Sequence, residues 1–318
     1  MKRYFVVCLA LLMLAGCASR GDVFSSGGAV GRPEVPPPSS AAPQPSRPAS
    51  SAKTSAASGL GEEPESEEPE SRPALAMTAD FLALAELPNE VITWGPGLQQ
   101  TESGRSAACE DLQERLGGEH NVWFIGPEEE GTVTLTFDQG YENGYTASIL
   151  DTLKEKDVQA IFFLTGHYVR SEPELVQRMI DEGHILGNHS DSHKVYCREL
   201  TPEETLADAL YMQQKLRDDY DYEMRLFRFP EGEFSEQSLA LMDELGYASV
   251  FWSFAYADWD VNNQPEPQAA KERIFKYLHP GEIMLLHSVS STNAAILGDV
   301  IDEIRARGYA AGPFEALK

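Results

Sequence analysis

The chain is poor in basic residues, in cysteine and in long apolar segments. Its 25 lysines and arginines face 51 acidic residues, which gives a formal net charge of -26 and a pI of about 4.5. Because binding to phosphates needs a basic face, this balance excludes nucleic acid as an expected partner. The sequence also lacks a serine or cysteine nucleophile elbow, a P-loop and a dinucleotide-binding fingerprint. The enzyme classes that are built on those motifs are thereby excluded.

The N-terminal segment carries the signals of export. An apolar stretch over residues 4–14 follows two basic residues and is too short to span a bilayer. It leads into Leu14-Ala15-Gly16-Cys17, which resembles a bacterial lipobox, so we predict a lipoprotein signal peptide over residues 1–16 and a lipid on Cys17. The alternative is an ordinary signal peptide with an incidental cysteine. No later segment is apolar enough to span, so we expect an extracytoplasmic protein anchored to the cell membrane through Cys17.

Composition divides the remaining chain into three parts. Residues 17–75 consist mostly of Pro, Ser, Ala, Gly and Glu, and they cannot bury enough apolar surface to fold, so we predict a disordered tether. Residues 76–130 show a mixed pattern, which we interpret as an extension that packs on the main domain over residues 131–318. Export would permit a disulfide between Cys109 and Cys197, but the sequence leaves their pairing open.

From residue 132 onward, apolar strand-like runs alternate with helix-like runs. The strand-like runs are TVTLTF ending at Phe137, AIFFLT ending at Thr165, HILGN ending at Asn188, RLFRF ending at Phe229, SVFWSF ending at Phe254 and IMLLH ending at His287, with a short last strand near Tyr309. The helix-like runs cover residues 145–156, 172–182, 201–219, 235–245, 268–278 and 292–307. Fully apolar strands between helices are typical of a covered parallel sheet. We therefore predict an α/β fold with an irregular or incomplete (β/α) barrel; an open doubly wound sheet is the alternative.

Polar residues with catalytic or metal-binding capacity follow the ends of these strands. They are Asp138, His167, His189, His193, Arg228, Glu231, Asp258 and His287. Because the carboxyl ends of parallel strands meet at one edge of the sheet, we predict that these side chains form one site. His184 begins its strand at the opposite edge, and we interpret it as structural.

The residue types in this set fit hydrolysis of an amide or ester. His189 and His193 have the spacing of a metal-binding pair, although a complete site needs a third ligand. A zinc-like ion polarises a carbonyl, a carboxylate takes a proton from water, and a separate protonated histidine serves the leaving group. Taken singly, Asp138 could instead cap a helix and His287 could be a buried core histidine. The aromatic cluster around Trp252 could be core or a platform for sugars.

Five short motifs make the chain resemble a known family. TFDQG, HSDSH, RFPEG, the pair Asp258-Trp259 and LLHS occur in the order and spacing of the NodB-homology polysaccharide deacetylases, carbohydrate esterase family 4, over about residues 132–317. Further segments, YENGYT, FFLTGHYV, EGEFSE and FWSFAYADWDVNNQ, resemble the subgroup that deacetylates N-acetylmuramic acid during muramic-δ-lactam formation in spore cortex peptidoglycan.

The resemblance implies a role for each matching residue. Asp138 would be the catalytic base, and Arg228 would orient it and also meet the lactyl carboxylate of the substrate. Asp258 would tune His287, the general acid. Substrate binding would fall to the rim residues, namely Tyr141, Glu231, Trp252 and Trp259.

The resemblance also implies a divalent, zinc-like metal with His189 and His193 as ligands. Most members have a second aspartate as a metal ligand where this chain has Gln139. A neutral amide oxygen is a weaker ligand than a carboxylate, so we expect weak metal binding. Phe229 replaces the usual proline, which we interpret as a conformational change.

Three functional hypotheses follow. The leading one is a membrane-anchored, monomeric deacetylase that acts on N-acetylmuramic acid in peptidoglycan glycan strands and leads to muramic-δ-lactam; the sequence leaves open a role in sporulation or in vegetative wall remodelling. The second moves the same chemistry to N-acetylglucosamine in peptidoglycan or chitin-like oligomers. The third is a non-catalytic, glycan-binding lipoprotein.

Overall fold

The computed structural model describes residue 76 and residues 78–318. The predicted signal peptide, the lipidation site Cys17 and the tether lie outside the described residues. Within these limits the strands are β1 (Ile92–Thr93), β2 (Val122–Trp123), β3 (Thr132–Gln139), β4 (Ile161–Leu164), β5 (Ile185–Asn188), β6 (Leu226–Phe227), β7 (Glu233–Phe234), β8 (Ala248–Val250), β9 (Glu282–His287) and β10 (Ala310–Ala311). The helices are α1 (Phe81–Leu84), α2 (Ala107–Leu116), α3 (Thr146–Glu155), α4 (Gly166–Ser171), α5 (Pro173–Asp181), α6 (Tyr196–Glu199), α7 (Pro202–Tyr220), α8 (Glu236–Leu245), α9 (Pro267–Tyr277) and α10 (Ser291–Ala306).

A parallel sheet forms the centre of the described chain. Its strands follow the order β9-β3-β4-β5-β6-β8, and every pair in this run is parallel. Beyond β8 the chain curls back, because Ser253 N–H donates to the Ile283 carbonyl at 2.9 Å and Leu285 N–H donates to the Phe254 carbonyl at 2.9 Å. The predicted irregular (β/α) barrel is confirmed.

Aromatic packing against the central sheet explains why these strands are fully apolar. The rings of Phe137 and Phe162 stack at 5.1 Å, and those of Phe124 and Phe251 stack at 4.6 Å. All four side chains are fully buried. Burial of a phenylalanine contributes roughly 1.5–3 kcal/mol, so the strands are held mainly by their side chains.

Most helices begin and end within two residues of the predicted bounds. In α7, for example, Thr201 and Glu204 form a capping box in which each side chain accepts the other residue's N–H. Helix α8 ends at Gly246 in the left-handed conformation that glycine favours. Strands β6 and β8 are shorter than predicted. Helices α2, α4 and α6 were not predicted, because all three have mixed polar and apolar composition.

The extension over residues 76–130 contacts the central sheet directly. Strand β2 pairs in parallel with β8, and the indole N–H of Trp94 donates to the Trp252 carbonyl at 3.0 Å. Buried Arg105 donates to the carbonyls of Gly126 and Pro280 at 2.8 to 3.2 Å. These contacts fix the backbone around Trp252, which forms part of the wall of the site described below.

The two cysteines among the described residues do not form a disulfide. Cys109 and Cys197 are both free thiols, and Cys109 is buried. Burial raises the pKa of the Cys109 thiol to about 12, which keeps it protonated. Among the described residues no helix has both the length and the apolar character needed to cross a membrane.

Candidate active site

A cavity of about 1040 Å³ opens at the carboxyl ends of the central strands. The residues predicted from strand ends or from the resemblance that line it are Asp138, Tyr141, His167, His189, His193, Glu231, Trp252, Trp259 and His287. Most of the polar residues that follow the strand ends therefore do meet in one cavity. Arg228, Asp258 and Gln139 lie behind its wall, where each is fully buried.

Asp138 is held by a buried arginine. One oxygen of its carboxylate accepts from Arg228 Nη1 at 2.8 Å, and the other lies 3.6 Å from His189 Nε2. Burial alone would raise the pKa of Asp138, but the charge of Arg228 and its hydrogen bond to the carboxylate outweigh it, so the pKa is lowered and the group is a carboxylate at neutral pH. The second oxygen faces the cavity and is free to accept a proton.

Four of the five N–H groups of the Arg228 guanidinium donate inside the protein. Nε donates to the Val250 carbonyl at 2.9 Å, Nη2 donates to the Phe251 carbonyl at 3.0 Å, and Nη1 is shared between Asp138 and Thr136 Oγ1 at 2.8 Å each. The side chain is 0% exposed. The predicted orientation of Asp138 by Arg228 agrees with these contacts. Arg228 does not line the cavity, and its predicted contact with a lactyl carboxylate stays a prediction.

His287 pairs with a second buried carboxylate. Its Nδ1–H donates to Asp258 Oδ1 at 2.7 Å and its backbone N–H donates to Asp258 Oδ2 at 2.8 Å. Burial would lower the pKa of His287, but the hydrogen bond and charge of Asp258 outweigh it and raise the pKa. The imidazole thus keeps a proton on Nε2 to higher pH than an unpaired histidine. Strands β3 and β9 place Asp138 and His287 directly opposite each other.

His189 and His193 supply two nitrogen donors beside Asp138. Their rings lie 4.9 Å apart, centroid to centroid, and nearly perpendicular to each other. His189 Nδ1 lies 2.8 Å from the Arg228 carbonyl, which requires the proton on Nδ1 and leaves the lone pair on Nε2. Burial lowers the pKa of His189 to about 4, so the ring is neutral as a metal ligand must be. These two histidines fit a zinc-like ion.

A third protein ligand is not evident. Within the described part of the chain, no group of three or more His, Cys, Asp and Glu side chains is arranged to hold a metal. Gln139 is fully buried, and its Nε2 donates to Ser288 Oγ at 2.5 Å while its Oε1 has no hydrogen-bond partner. Its side chain connects β3 to the residue after His287 and does not line the cavity. Metal binding by Gln139 stays a prediction.

Comparison with known proteins identifies the family. Residues 125–250 match the polysaccharide deacetylase family. The chain is 38% identical over 245 residues to the peptidoglycan-N-acetylmuramic acid deacetylase PdaA of Bacillus subtilis, covering 74% of this chain and 89% of PdaA. The chain belongs to the polysaccharide deacetylase family. This enzyme is therefore an amide hydrolase, as the motifs predicted.

Two further comparisons place the deacetylase within its family. A solved structure of Bacillus subtilis PdaA, described as a family 4 carbohydrate esterase, matches with a TM-score of 0.67 over 71% of this chain and 96% of that one, at 38% identity. A peptidoglycan-N-acetylglucosamine deacetylase of Bacillus cereus is 31% identical over 191 residues, covering 59% of this chain and 88% of the relative. Relatives with both sugar specificities are thus similar to this deacetylase.

The rim of the deacetylase cavity carries exposed aromatic side chains. Tyr141 is 45% exposed and Trp259 is 58% exposed, and the Trp259 ring lies 6.1 Å from that of His287. Trp252 is buried and forms wall, not rim. Exposed rings beside an acid can stack on the apolar faces of sugars. Tyr141 and Trp259 are therefore the rim residues best placed to contact glycan.

The YENGYT segment organises this rim. The Glu142 carboxylate accepts from Gly144 N–H at 2.5 Å and from both the N–H and the hydroxyl of Thr146. Asn143 Nδ2 donates to the Val289 carbonyl at 2.9 Å and so links this loop to the segment after His287. The motif acts structurally by fixing the loop that carries Tyr141.

Several residues that line the cavity, or that hold the residues lining it, were not predicted from the sequence. Asp191, Ser192, Phe229 and Val289 also line the cavity, and buried Asn293 contacts Asp258 from α10. Asp191 and Ser192 lie within HSDSH, so the motif itself marked them. His184, predicted to be structural, is buried, and its Nδ1 accepts from Ala160 N–H at 3.2 Å.

Proposed function

We propose that this deacetylase hydrolyses the N-acetyl group of N-acetylmuramic acid in peptidoglycan. The observation that carries the proposal is that two oppositely tuned groups lie side by side in one cavity, on the adjacent strands β3 and β9. Arg228 holds Asp138 as a carboxylate, and the hydrogen bond to Asp258 raises the pKa of His287, which favours its protonated form. A pair of groups whose pKa values are moved apart in this way is the arrangement that acid–base hydrolysis requires.

In the first step, the cavity-facing oxygen of Asp138 would take a proton from water as the water attacks the acetyl carbonyl carbon. The two oxygens of the carboxylate have separate tasks, since one is bound by Arg228 and the other is available for the proton. Arg228 would also keep the carboxylate from rotating, because its guanidinium is fixed by carbonyls of Val250 and Phe251. His189 and His193 would hold a divalent ion, which when bound polarises the acetyl carbonyl.

In the second step, protonated His287 Nε2 would donate to the sugar nitrogen as the carbon–nitrogen bond breaks. Acetic acid and a free amine are the products, the acid then loses its proton to solvent, and the proton that His287 gives up is replaced by the one that Asp138 has taken. The Nδ1–H bond to Asp258 would hold the ring orientation and stabilise the positive charge before transfer. Hydrolysis is then complete with no covalent intermediate on the protein.

The preference for muramic acid rests on the relatives. The relative named for N-acetylmuramic acid is 38% identical, against 31% for the one named for N-acetylglucosamine. Deacetylation of N-acetylglucosamine is therefore the second candidate. If muramic acid is the substrate, the freed amine lies next to the lactyl carboxyl and can close a δ-lactam with loss of water, as in spore cortex.

The cellular setting is a further part of the proposal. A lipid on Cys17 and a tether over residues 17–75 would hold the deacetylase outside the cytoplasm, anchored to the membrane within reach of the wall. A purely glycan-binding protein would have no need for Asp138, His287 and their partners, so we place that reading last.

Mass spectrometry of muropeptides tests the substrate. The purified deacetylase is incubated with peptidoglycan, both intact and after removal of stem peptides by an amidase, with and without added Zn²⁺. We expect loss of acetyl from muramic acid, or loss of acetyl and water where the lactam closes. Loss from glucosamine would establish the second candidate. No change with any divalent ion, on either glycan, would overturn both. Asp138→Asn is the inactive control.

A further inference from the structure

We propose that Asn293 is a positioning residue of the deacetylase, which clamps Asp258 and His287 together as one acid unit. This inference deepens the proposed function and rests on it, because it concerns how the general acid is held. It adds two residues, Asn293 and Tyr256, to which the sequence motifs assigned no role.

The contacts form a continuous chain of hydrogen bonds that ends at the acid. Asn293 Nδ2 donates to Asp258 Oδ2 at 2.6 Å and to the His287 carbonyl at 3.1 Å. The Tyr256 hydroxyl donates to Asn293 Oδ1. One amide group thus binds both the carboxylate that pairs with the imidazole and the backbone of the imidazole's own residue.

The neighbours of Asn293 determine which way its amide points. The two groups beside Nδ2 are a carboxylate oxygen and a backbone carbonyl, and both can only accept. The group beside Oδ1 is a hydroxyl, which can donate. Rotating the amide by half a turn would set its oxygen against two acceptors, so only one orientation is compatible with the site.

The fold places Asn293 here through the start of helix α10. Ser290 is the N-cap of that helix, and its Oγ accepts from Asn293 N–H at 3.0 Å. Asn293 is 2% exposed and Asp258 is 0% exposed. A buried carboxylate needs its lone pairs satisfied, and here three donors do so: Nδ1–H and N–H of His287 and the Asn293 amide.

The charges that face His287 come from three elements. Asp258 belongs to the segment after β8, Asp138 to β3, and Arg228 to the turn after β6. Only Asp258 contacts the ring. Removal of the Asn293 amide leaves room beside Asp258 for water, which screens the carboxylate from the imidazole. We therefore expect the apparent pKa of His287 to fall in Asn293→Ala.

The first measurement needs no catalysis. The deacetylase labelled with ¹⁵N-histidine is titrated by NMR, with His287→Gln used to assign the signal among the 7 histidines. We expect the His287 pKa to be at least about half a unit lower in Asn293→Ala than in the wild type. The second measurement is kinetic: kcat should fall roughly tenfold at neutral pH with KM unchanged, and the alkaline limb of the pH profile should move to lower pH.

Two further variants distinguish a specific effect on the His287 pKa from a general loosening of helix α10. Tyr256→Phe is nearly isosteric and removes only the donor to Asn293 Oδ1, so it should shift the His287 pKa in the same direction by less. Thr292→Val is the matched control, since Thr292 is equally buried on the same turn but its hydroxyl donates to the Pro265 carbonyl at 2.6 Å. It should leave the His287 pKa unchanged.

The outcomes separate this inference from the proposed function. An unchanged or raised His287 pKa in Asn293→Ala would overturn the positioning role even if the wild type is fully active. An equal fall in Thr292→Val would also overturn it, since the effect would then be general loosening of α10. An inactive wild type with the expected pKa shifts would overturn the proposed substrate and leave the clamp established.

Discussion

Arg228 should be the most costly single side chain to remove from this deacetylase. It is 0% exposed and donates to Asp138, to Thr136 and to the carbonyls of Val250 and Phe251. Arg228→Met keeps the length of the side chain but leaves the Asp138 carboxylate buried without its cation. Breaking a buried ion pair on one side costs roughly 3–5 kcal/mol. For a domain of this size that corresponds to a fall in Tm of about 10 °C.

The loss of unfolding free energy in Arg228→Met should increase as pH rises. In the wild type the pKa of Asp138 is lowered on folding, so its contribution to stability is present above the unfolded pKa of about 4 and is lost as pH falls. Without Arg228, burial dominates and the pKa is raised, so stability is instead lost as pH rises above about 4. The difference in unfolding free energy between wild type and Arg228→Met should therefore grow with pH.

A double variant tests whether the unpaired charge of Asp138 is what destabilises Arg228→Met. Adding Asp138→Asn to Arg228→Met removes the unpaired charge, so we expect recovery of roughly 1–3 kcal/mol in urea unfolding followed by tryptophan fluorescence. Arg105→Met is the matched control: Arg105 is also buried on backbone carbonyls but does not contact Asp138. If Asp138→Asn destabilises the Arg228→Met and Arg105→Met backgrounds equally, the unpaired-charge argument is refuted.

Three further changes have expected outcomes. Asp258→Asn should lower kcat roughly 10²–10⁴-fold and, since the pKa of His287 is raised largely by this carboxylate, should move the alkaline limb of the kcat profile to lower pH; an unmoved limb contradicts the assignment. Gln139→Asp should tighten Zn²⁺ binding measured by calorimetry, and equal binding in both forms contradicts the weak-ligand view. Glu282 is fully buried with its pKa raised well above normal by burial and with Oε1 unpartnered. Its contribution to stability is thus lost as pH rises, and Glu282→Gln, which keeps an acceptor for His279 N–H, should raise Tm at pH 8 but not at pH 4; a gain at both would refute the reasoning.

The position of Asp138 and His287 could be predicted from the sequence because it depends on one local rule. Both residues end apolar runs, and the ends of parallel strands lie at one edge. The structure makes them register partners on adjacent strands. The rule does not say which way a side chain points at the end of a strand. It therefore could not predict that Asp138 lines the cavity while Gln139 is buried behind it.

The direction of a side chain and its contacts over long sequence distances could not be predicted from the strand-end rule. Arg228 follows a strand end like the others, but its guanidinium turns inward because carbonyls of Val250 and Phe251 lie there to receive it. Asn293 contacts Asp258 across 35 residues of chain. Its place three residues after the cap of α10 is visible in the sequence, but the path of the loop that brings Asp258 to it is not.

Asp138 and His287, the proposed base and acid of this deacetylase, are held in the same way by different parts of the fold. Each lies on a central strand, and each is bound by a buried partner that is itself fixed by two or more hydrogen bonds to other elements. The rim aromatics Tyr141 and Trp259 belong to neither set of contacts. Buried Arg228 and Asp258 hold Asp138 and His287 from the protein interior, whereas the glycan would enter through the cavity. Changes of substrate preference can therefore arise at the rim without disturbing the geometry of Asp138 and His287.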